Sequence, residues 1–283
     1  MDLFSEIGAI TGQAVTDIEP LGGGCVSSVY RVSLRDGSIV VAKADEDGLA
    51  NLPVEAGMLG YLAANTALPV PGVLFSSDRL LLMSFIPGDS RITDPVEHHA
   101  AELLAALHDI TAPAYGFEWD TLIGGLAQPN PSTVSWIEFF AEHRLYYMAT
   151  EATRAGRLPS RVASRVETLC RHLTDFLLEP ERPSLVHGDV WTTNILAAGG
   201  RITGFIDPAI YFAHNEVELA FTTLFGTFGR AFFKHYNELR PIAAGFFEER
   251  RDLYNLYPLL VHVRLFGGSY VSSVTTVLER FGF

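Results

Sequence analysis

Asp189 and Asn194 stand five residues apart in His187-Gly188-Asp189-Val190-Trp191-Thr192-Thr193-Asn194, and Asp207 follows in Ile206-Asp207-Pro208. A carboxylate held in a loop can take a proton from a hydroxyl. An amide oxygen and a second carboxylate are hard donors, the kind that holds Mg2+ on phosphate oxygens. The chemistry on offer is transfer of a phosphoryl group from a magnesium-bound nucleotide to an alcohol. Asp189 is the candidate proton acceptor; Asn194 and Asp207 are the candidate metal ligands.

A hairpin must bring these groups together. Asn194-Ile195-Leu196-Ala197 reads as a short strand, Gly199-Gly200 as a two-residue turn, and Ile202 to Ile206 as the returning strand. With the glycines central, Ala198 faces Arg201 and Asn194 faces Phe205. Asp207 then lies about 7 Å further along the strand. Both metal-ligand candidates therefore emerge at one end of one hairpin, with Asp189 in the loop that feeds it. His187 fits a structural role, a buried imidazole bonded to the loop backbone.

The chain has 283 residues, 48% of them apolar, enough to bury a large core. No apolar run is long enough to span a bilayer, and Met1-Asp2-Leu3 opens without a signal-like pattern, so a cytoplasmic protein is expected. A net charge of -13 disfavours nucleic acid and anionic membrane as partners. It suits a cationic small molecule. Cys25 and Cys170 make neither a disulfide framework nor a zinc site.

The first third reads as a nucleotide-binding unit. Leu21-Gly22-Gly23-Gly24-Cys25 is a glycine-rich turn whose amides can approach phosphate oxygens. Tyr30 to Leu34 and Ile39 to Lys43 alternate as strands across Arg35-Asp36-Gly37-Ser38. Lys43 ends the second strand, matching the strand lysine of kinases. A helix from Pro53 to Ala64 places Glu55 on the apolar face with Met58, Leu59 and Leu62. An acid on that face needs a partner, and Lys43 is the natural one. Arg79 to Gly88 reads as a buried strand leaving this unit. Its end reads either as an ordinary Pro-Gly turn after a core strand or, if the fold is kinase-like, as a hinge in which Ser84 and Ile86 backbone groups would read adenine, with Met83 behind.

The remainder reads as helices. Asp94-Pro95-Val96-Glu97 carries an N-cap, a first-turn proline and a capping-box acid for a helix to His108. Ser132 is expected to cap a helix to about Gly156, and Ser160 another to about Leu178. Further patterns run from Glu216 to Phe225, Phe246 to Phe266 and Val271 to Arg280. Cys170 reads as an inert buried thiol.

These residues resemble the fructosamine/ketosamine kinases, relatives of aminoglycoside phosphotransferases and choline kinases. The resemblance spans nearly the whole chain. It rests on Leu21-Gly22-Gly23-Gly24-Cys25, Gln128-Pro129-Asn130, Trp136-Ile137-Glu138-Phe139-Phe140, His187-Gly188-Asp189-Val190-Trp191, Ile206-Asp207-Pro208-Ala209-Ile210-Tyr211 and Leu265-Phe266-Gly267-Gly268-Ser269-Tyr270. It implies an α+β, two-lobed protein-kinase-like fold. Residues 1–87 would form a small antiparallel-sheet lobe and residues 88–283 a mainly helical one. It implies ATP and Mg2+ as cofactors and phosphorylation of the 3-hydroxyl of a ketosamine on a glycated amine. Gly22, Gly23, Gly24, Cys25, Lys43, Glu55, Met83, Ser84 and Ile86 would bind nucleotide. Trp191 would line the sugar site, with Tyr211, His214 and Glu216 as further substrate-side candidates. Thr193 stands where a small residue is usual, and Glu218 where relatives tend to carry Asp. Two alternatives stay open: phosphotransfer to an aminoglycoside, choline or other amino alcohol, and a nucleotide-binding pseudokinase. Cys25, amid the amide dipoles of its turn, is expected to favour its thiolate. A monomer, or a dimer redox-linked through Cys25, is therefore expected.

Overall fold

The computed structural model describes residues 3–22, 27–45, 48 and 50–283. Helix α1 (Leu3–Thr11) precedes strands β1 (Val15–Leu21), β2 (Ser28–Leu34) and β3 (Ile39–Ala44). Helix α2 (Leu52–Asn65) leads on to β4 (Val73–Ser76) and β5 (Leu80–Ser84). The five strands pair antiparallel in the order β1-β2-β3-β5-β4. The outer strands β1 and β4 are mostly exposed and lack apolar alternation, so only the inner strands announce themselves in the sequence.

Strand parity explains the packing. Side chains alternate between the two faces of a strand. Val32 and Leu34 of β2, Val40 and Ala42 of β3, and Leu80 and Leu82 of β5 pack with Ile7 of α1. Leu81 and Met83 of β5 point the other way and pack with Leu52 and Leu59 of α2. A strand buried on both faces reads as a continuous apolar run, as Leu80 to Met83 does. Lys43 pairs across from Leu81, so its side chain shares the α2 face. That parity carries it toward Glu55.

The chain then enters a helical part. Helix α3 (Asp94–His108) has the extent its sequence predicts. Its N-cap position is Thr93, however, and Glu97 does not close a capping box. Its carboxylate instead accepts from Gly229 N and Phe232 N at 2.7 and 2.8 Å. Those amides open a later helix, where an acid stabilises the exposed N–H groups. A small hairpin follows, β6 (Thr121–Ile123) and β7 (Leu126–Gln128). Then come α4 (Trp136–Phe140), a π-helical turn over 141–146, and α5 (Tyr147–Arg154). Ser135, not Ser132, caps α4, accepting from Glu138 N at 3.2 Å.

Helix α6 (Ser160–Cys170) ends earlier than expected and gives way to a short 3-10 turn. The Cys170 thiol is half-buried, and burial pushes it up to about 12. Strand β8 (Ser184–Val186) leads to the hairpin of β9 (Ile195–Ala198) and β10 (Arg201–Phe205). Strand β11 (Tyr211–Ala213) pairs back onto β8. Helices α7 (Glu216–Leu224) and α8 (Arg230–Leu239) follow. The expected helix over 246–266 is broken into a π turn at 246–250, α9 (Arg251–Tyr254) and α10 (Leu256–Phe266). Helix α11 (Tyr270–Arg280) closes the chain. One large core unites this part, from Leu104 and Trp136 to Leu260 and Leu278. Among the described residues no helix is long and apolar enough to cross a membrane.

Candidate active site

Asn194 and Asp207 do emerge at one end of the β9–β10 hairpin, but the register differs by one residue from the simple expectation. Ala198 pairs with Arg201 and Ala197 with Ile202; then the ladder shifts, so that Ile195 faces Phe205. The shift falls at Thr203, whose hydroxyl donates to the Pro87 carbonyl at 2.8 Å. Asn194 consequently lies opposite Ile206, whose amide donates to the Asn194 carbonyl at 3.0 Å. Asp207 follows in the left-handed region at φ 53°, alone in this among the described non-glycine residues. Asp tolerates that conformation better than most residues, and such backbone outliers gather at functional sites.

The turn delivers the Asp207 carboxylate to Lys43. Lys43 Nζ bonds both Glu55 Oε1, at 2.5 Å, and Asp207 Oδ1. Burial opposes the Lys43 charge, but Asp207 and Glu55 outweigh it and raise its pKa. The ammonium is therefore held charged between a helix of one half and a turn of the other.

Asp189 faces the same space. Asn194 Nδ2 donates to its carbonyl at 3.0 Å and to Oδ2 at 2.7 Å. Partial burial and the nearby Asp207 charge push the Asp189 carboxyl up to about 8, against the Asn194 hydrogen bond. The loop ahead of it has little freedom. Gly188 sits at φ +84°, and a Cβ there would lie 2.1 Å from the Ala209 carbonyl oxygen. On its other side Gly188 N donates to Glu218 Oε1 at 2.7 Å. Glu218 Oε2 also accepts from His187 N at 3.3 Å and from His108 Nε2 at 2.9 Å. Burial would raise Glu218, but these donors hold it below its ordinary range. His187 is fully buried, and its Nδ1 accepts from Asp189 N at 3.3 Å, in line with a structural role.

A cleft of about 190 Å³ joins these groups. Lys43, Glu55, Asp189, Asn194, Asp207 and Trp191 all line it. Trp191 is half-buried and packs against Phe225 with centroids 5.4 Å apart. Gly22 ends the approach to the glycine-rich turn; Gly23, Gly24 and Cys25 lie outside the described residues. At the hinge, Ser84 N donates to Gly72 O at 2.8 Å, so that amide is engaged. Met83 is buried in the sheet core, and Ile86 packs over Gly204 of β10.

Tyr211, His214 and Glu216 do not reach the cleft. The Tyr211 ring is buried beneath the Arg144 guanidinium, 3.9 Å from its centroid. His214 packs against Trp136 and Tyr254, and burial brings it down to about 4. Glu216 holds Arg250 by two bonds of 2.7 Å, with both side chains buried. The family-like motifs there are core and ion-pair elements of the helical part. The cleft wall beyond Asp189 comes instead from the Gly124-Gly125 turn of β6–β7 and from Val261, His262, Leu265 and Phe266 of α10. Helical periodicity marked α10 as a helix, but it cannot say which face a distant cleft will use.

A family model for fructosamine kinase matches residues 3–281. The chain is 33% identical to a probable ketoamine kinase of Synechocystis over 98% of its own length and 95% of the relative's. It is 33% identical to a chloroplastic protein-ribulosamine 3-kinase of Arabidopsis thaliana, covering 94% of this chain and 83% of that one. A crystal structure of a fructosamine-3-kinase candidate from Thermobifida fusca superposes with a TM-score of 0.84 at 31% identity, covering 98% and 96% of the two chains. An aminoglycoside phosphotransferase shares the fold alone, with a TM-score of 0.70 at 17% identity over 99% of each chain. Motif, fold and relatives agree: the chain belongs to the fructosamine kinase family.

Proposed function

We propose that this protein transfers the γ-phosphoryl group of ATP to the 3-hydroxyl of a ketosamine, a fructose- or ribulose-derived sugar on an amine. The observation that carries the reading is the meeting of Lys43–Glu55, Asp189–Asn194 and Asp207 in one cleft with Trp191. Lys43 would bond phosphate oxygens of the nucleotide, and Glu55 would aim it. The Ile86 amide has no protein partner among the described residues, which suits a bond to the adenine edge. Asp189 would accept the proton of the acceptor hydroxyl. The new bond forms between that oxygen and the γ-phosphorus, the β–γ bridging bond breaks, and ADP departs. Trp191 would meet the sugar and its ammonium with an aromatic face.

Asn194 and Asp207 fit Mg2+. They offer an amide oxygen and a carboxylate, hard donors too few for an all-protein cage, which is how Mg2+ is held on phosphates. Among the described residues no group of three His, Cys, Asp or Glu side chains makes such a cage. The ion would neutralise charge on the transferring group.

The test is incubation with Mg-ATP and fructosamine, ribulosamine, choline and an aminoglycoside, with products read by 31P NMR. A 3-phosphorylated ketosamine is the expected product, and EDTA should abolish it. Phosphorylation of choline or the aminoglycoside without that of either ketosamine would overturn the reading.

A further inference from the structure

Five rings run outward from the catalytic loop. Trp191 and Phe225 have centroids 5.4 Å apart, Phe225 and His262 5.1 Å, and His262 and Tyr270 4.8 Å. Phe266 extends the strip, 5.8 Å from His262 and 6.2 Å from Tyr270. The inner members are partly buried, yet Phe225 is 37% and Phe266 53% exposed. Aromatic rings left in water beside a cleft are where a ligand gains most from burial. His262 Nδ1 donates to the Pro258 carbonyl at 2.7 Å, and burial lowers its pKa, so the ring is neutral. The strip carries no formal charge. The other ionisable groups lining the cleft among the described residues are Lys43, Glu55, Asp189 and Asp207, all gathered around the phosphoryl-transfer end.

We infer that this strip is the subsite for the group carried on the acceptor's amine, and that it selects an apolar or aromatic substituent over a charged one. The inference rests on the ketosamine reading above. A sugar whose hydroxyl meets Asp189 and whose ring meets Trp191 has its amine substituent left to project along the wall. Phe266, which lines the cleft, covers that substituent, with Phe225 packed behind Trp191 and His262. No lysine or arginine among the described lining residues stands beyond Lys43, and Arg157, beside the end of α10, gives its guanidinium to the Leu265 carbonyl, so a substituent bearing an amino-acid carboxylate is desolvated against the rings without a partner in the lining.

The experiment uses three fructosamines with one sugar and different amines: benzylamine, methylamine and glycine. Wild-type kcat/KM should fall in that order, by roughly fivefold or more at each step, a size typical of one aromatic contact or one unpaired polar group. Phe266→Ala should raise KM for the benzyl compound about fivefold. Its effect on KM for the methyl compound should be at most half as large. Phe266→Leu, which keeps bulk but not the ring, should lose less. Phe266 is 53% exposed, so unchanged thermal unfolding of its variants is expected. Equal kcat/KM for all three compounds, or equal losses on methyl and benzyl in the variants, would overturn the subsite while leaving the ketosamine reading intact. Turnover of none of the three would overturn that reading and the subsite with it.

Discussion

At the scale of single residues, two carboxylates share one cleft but keep different company. Asp189 is tied to Asn194, whereas Asp207 is tied to the Lys43 ammonium. On the proposed reading the first handles a proton and the second holds metal. Asp189→Asn should therefore leave Mg-ATP affinity within about twofold and cut kcat by roughly 10²-fold or more. Asp207→Ala should weaken Mg-ATP binding itself, by about tenfold or more, because it removes a ligand oxygen as well as the Lys43 partner. Calorimetric titration with Mg-ATP and single-turnover kinetics separate the two. Near-wild-type turnover by Asp189→Asn at saturating substrate would reverse the assignment.

At the scale of elements, Glu218 of α7 is what fixes the loop that carries Asp189. A carboxylate only accepts, so His108 Nε2 at the end of α3 must carry the proton between them. His108 Nδ1 lies 2.7 Å from the Tyr236 hydroxyl of α8, to which Asn215 Nδ2 donates at 3.0 Å. Helices α3 and α7 thus meet at one carboxylate, with α8 behind His108, and that carboxylate accepts from the amides of His187 and Gly188. Its extra methylene relative to Asp lengthens the reach from α7 to the loop. Glu218→Ala would leave the His187 and Gly188 amides and His108 Nε2 without their acceptor, while His108 Nδ1 keeps Tyr236. It should destabilise the protein by about 1–3 kcal/mol for each donor left unmet. Below the unfolding transition it should also lower kcat by roughly tenfold or more. KM for ATP should stay within about twofold, since Lys43 and its partners are untouched. Unaltered kcat in the folded variant would show that the loop holds its shape without the clamp.

At the scale of the whole molecule, the hairpin that carries Asn194 is joined to the small sheet as well as to the helices. Asp89 and Ala197 exchange backbone bonds of 2.9 and 2.7 Å, and Phe205 N donates to Pro69 O at 2.8 Å. The segment after β5 is therefore zipped to β9, which sets where Lys43 and Asp207 meet. Elsewhere the Glu216–Arg250 pair holds α7 to the π turn at 246–250. Arg250→Ala would strand a buried carboxylate, at a cost of about 3–5 kcal/mol in denaturant unfolding. Because the pair lies away from the cleft, KM for the acceptor should hardly move. A selective loss of acceptor affinity would return Glu216 to the substrate side.

Local rules legible in the chain were enough for Asp189, Asn194 and Asp207, because one tight hairpin and its flanking loop bring them together. They were enough for Lys43 and Glu55 as well, since strand parity and helical spacing send both side chains into one layer. Periodicity likewise set α3 at Asp94–His108. What local rules could not reach are decisions made between distant segments. Thr203 leaves the ladder for the Pro87 carbonyl, and Glu97 leaves its own helix for the start of α8, because each finds a better partner across the fold. Tyr211, His214 and Glu216 sit just past the Asp207 turn, yet the chain through β11 turns them into the core, where Arg144, Trp136 and Arg250 take them up. One wall of the cleft comes from α10, over fifty residues beyond Asp207 in the chain. Which face of that helix meets the cleft depends on how the whole helical core packs, and no spacing within the helix records it.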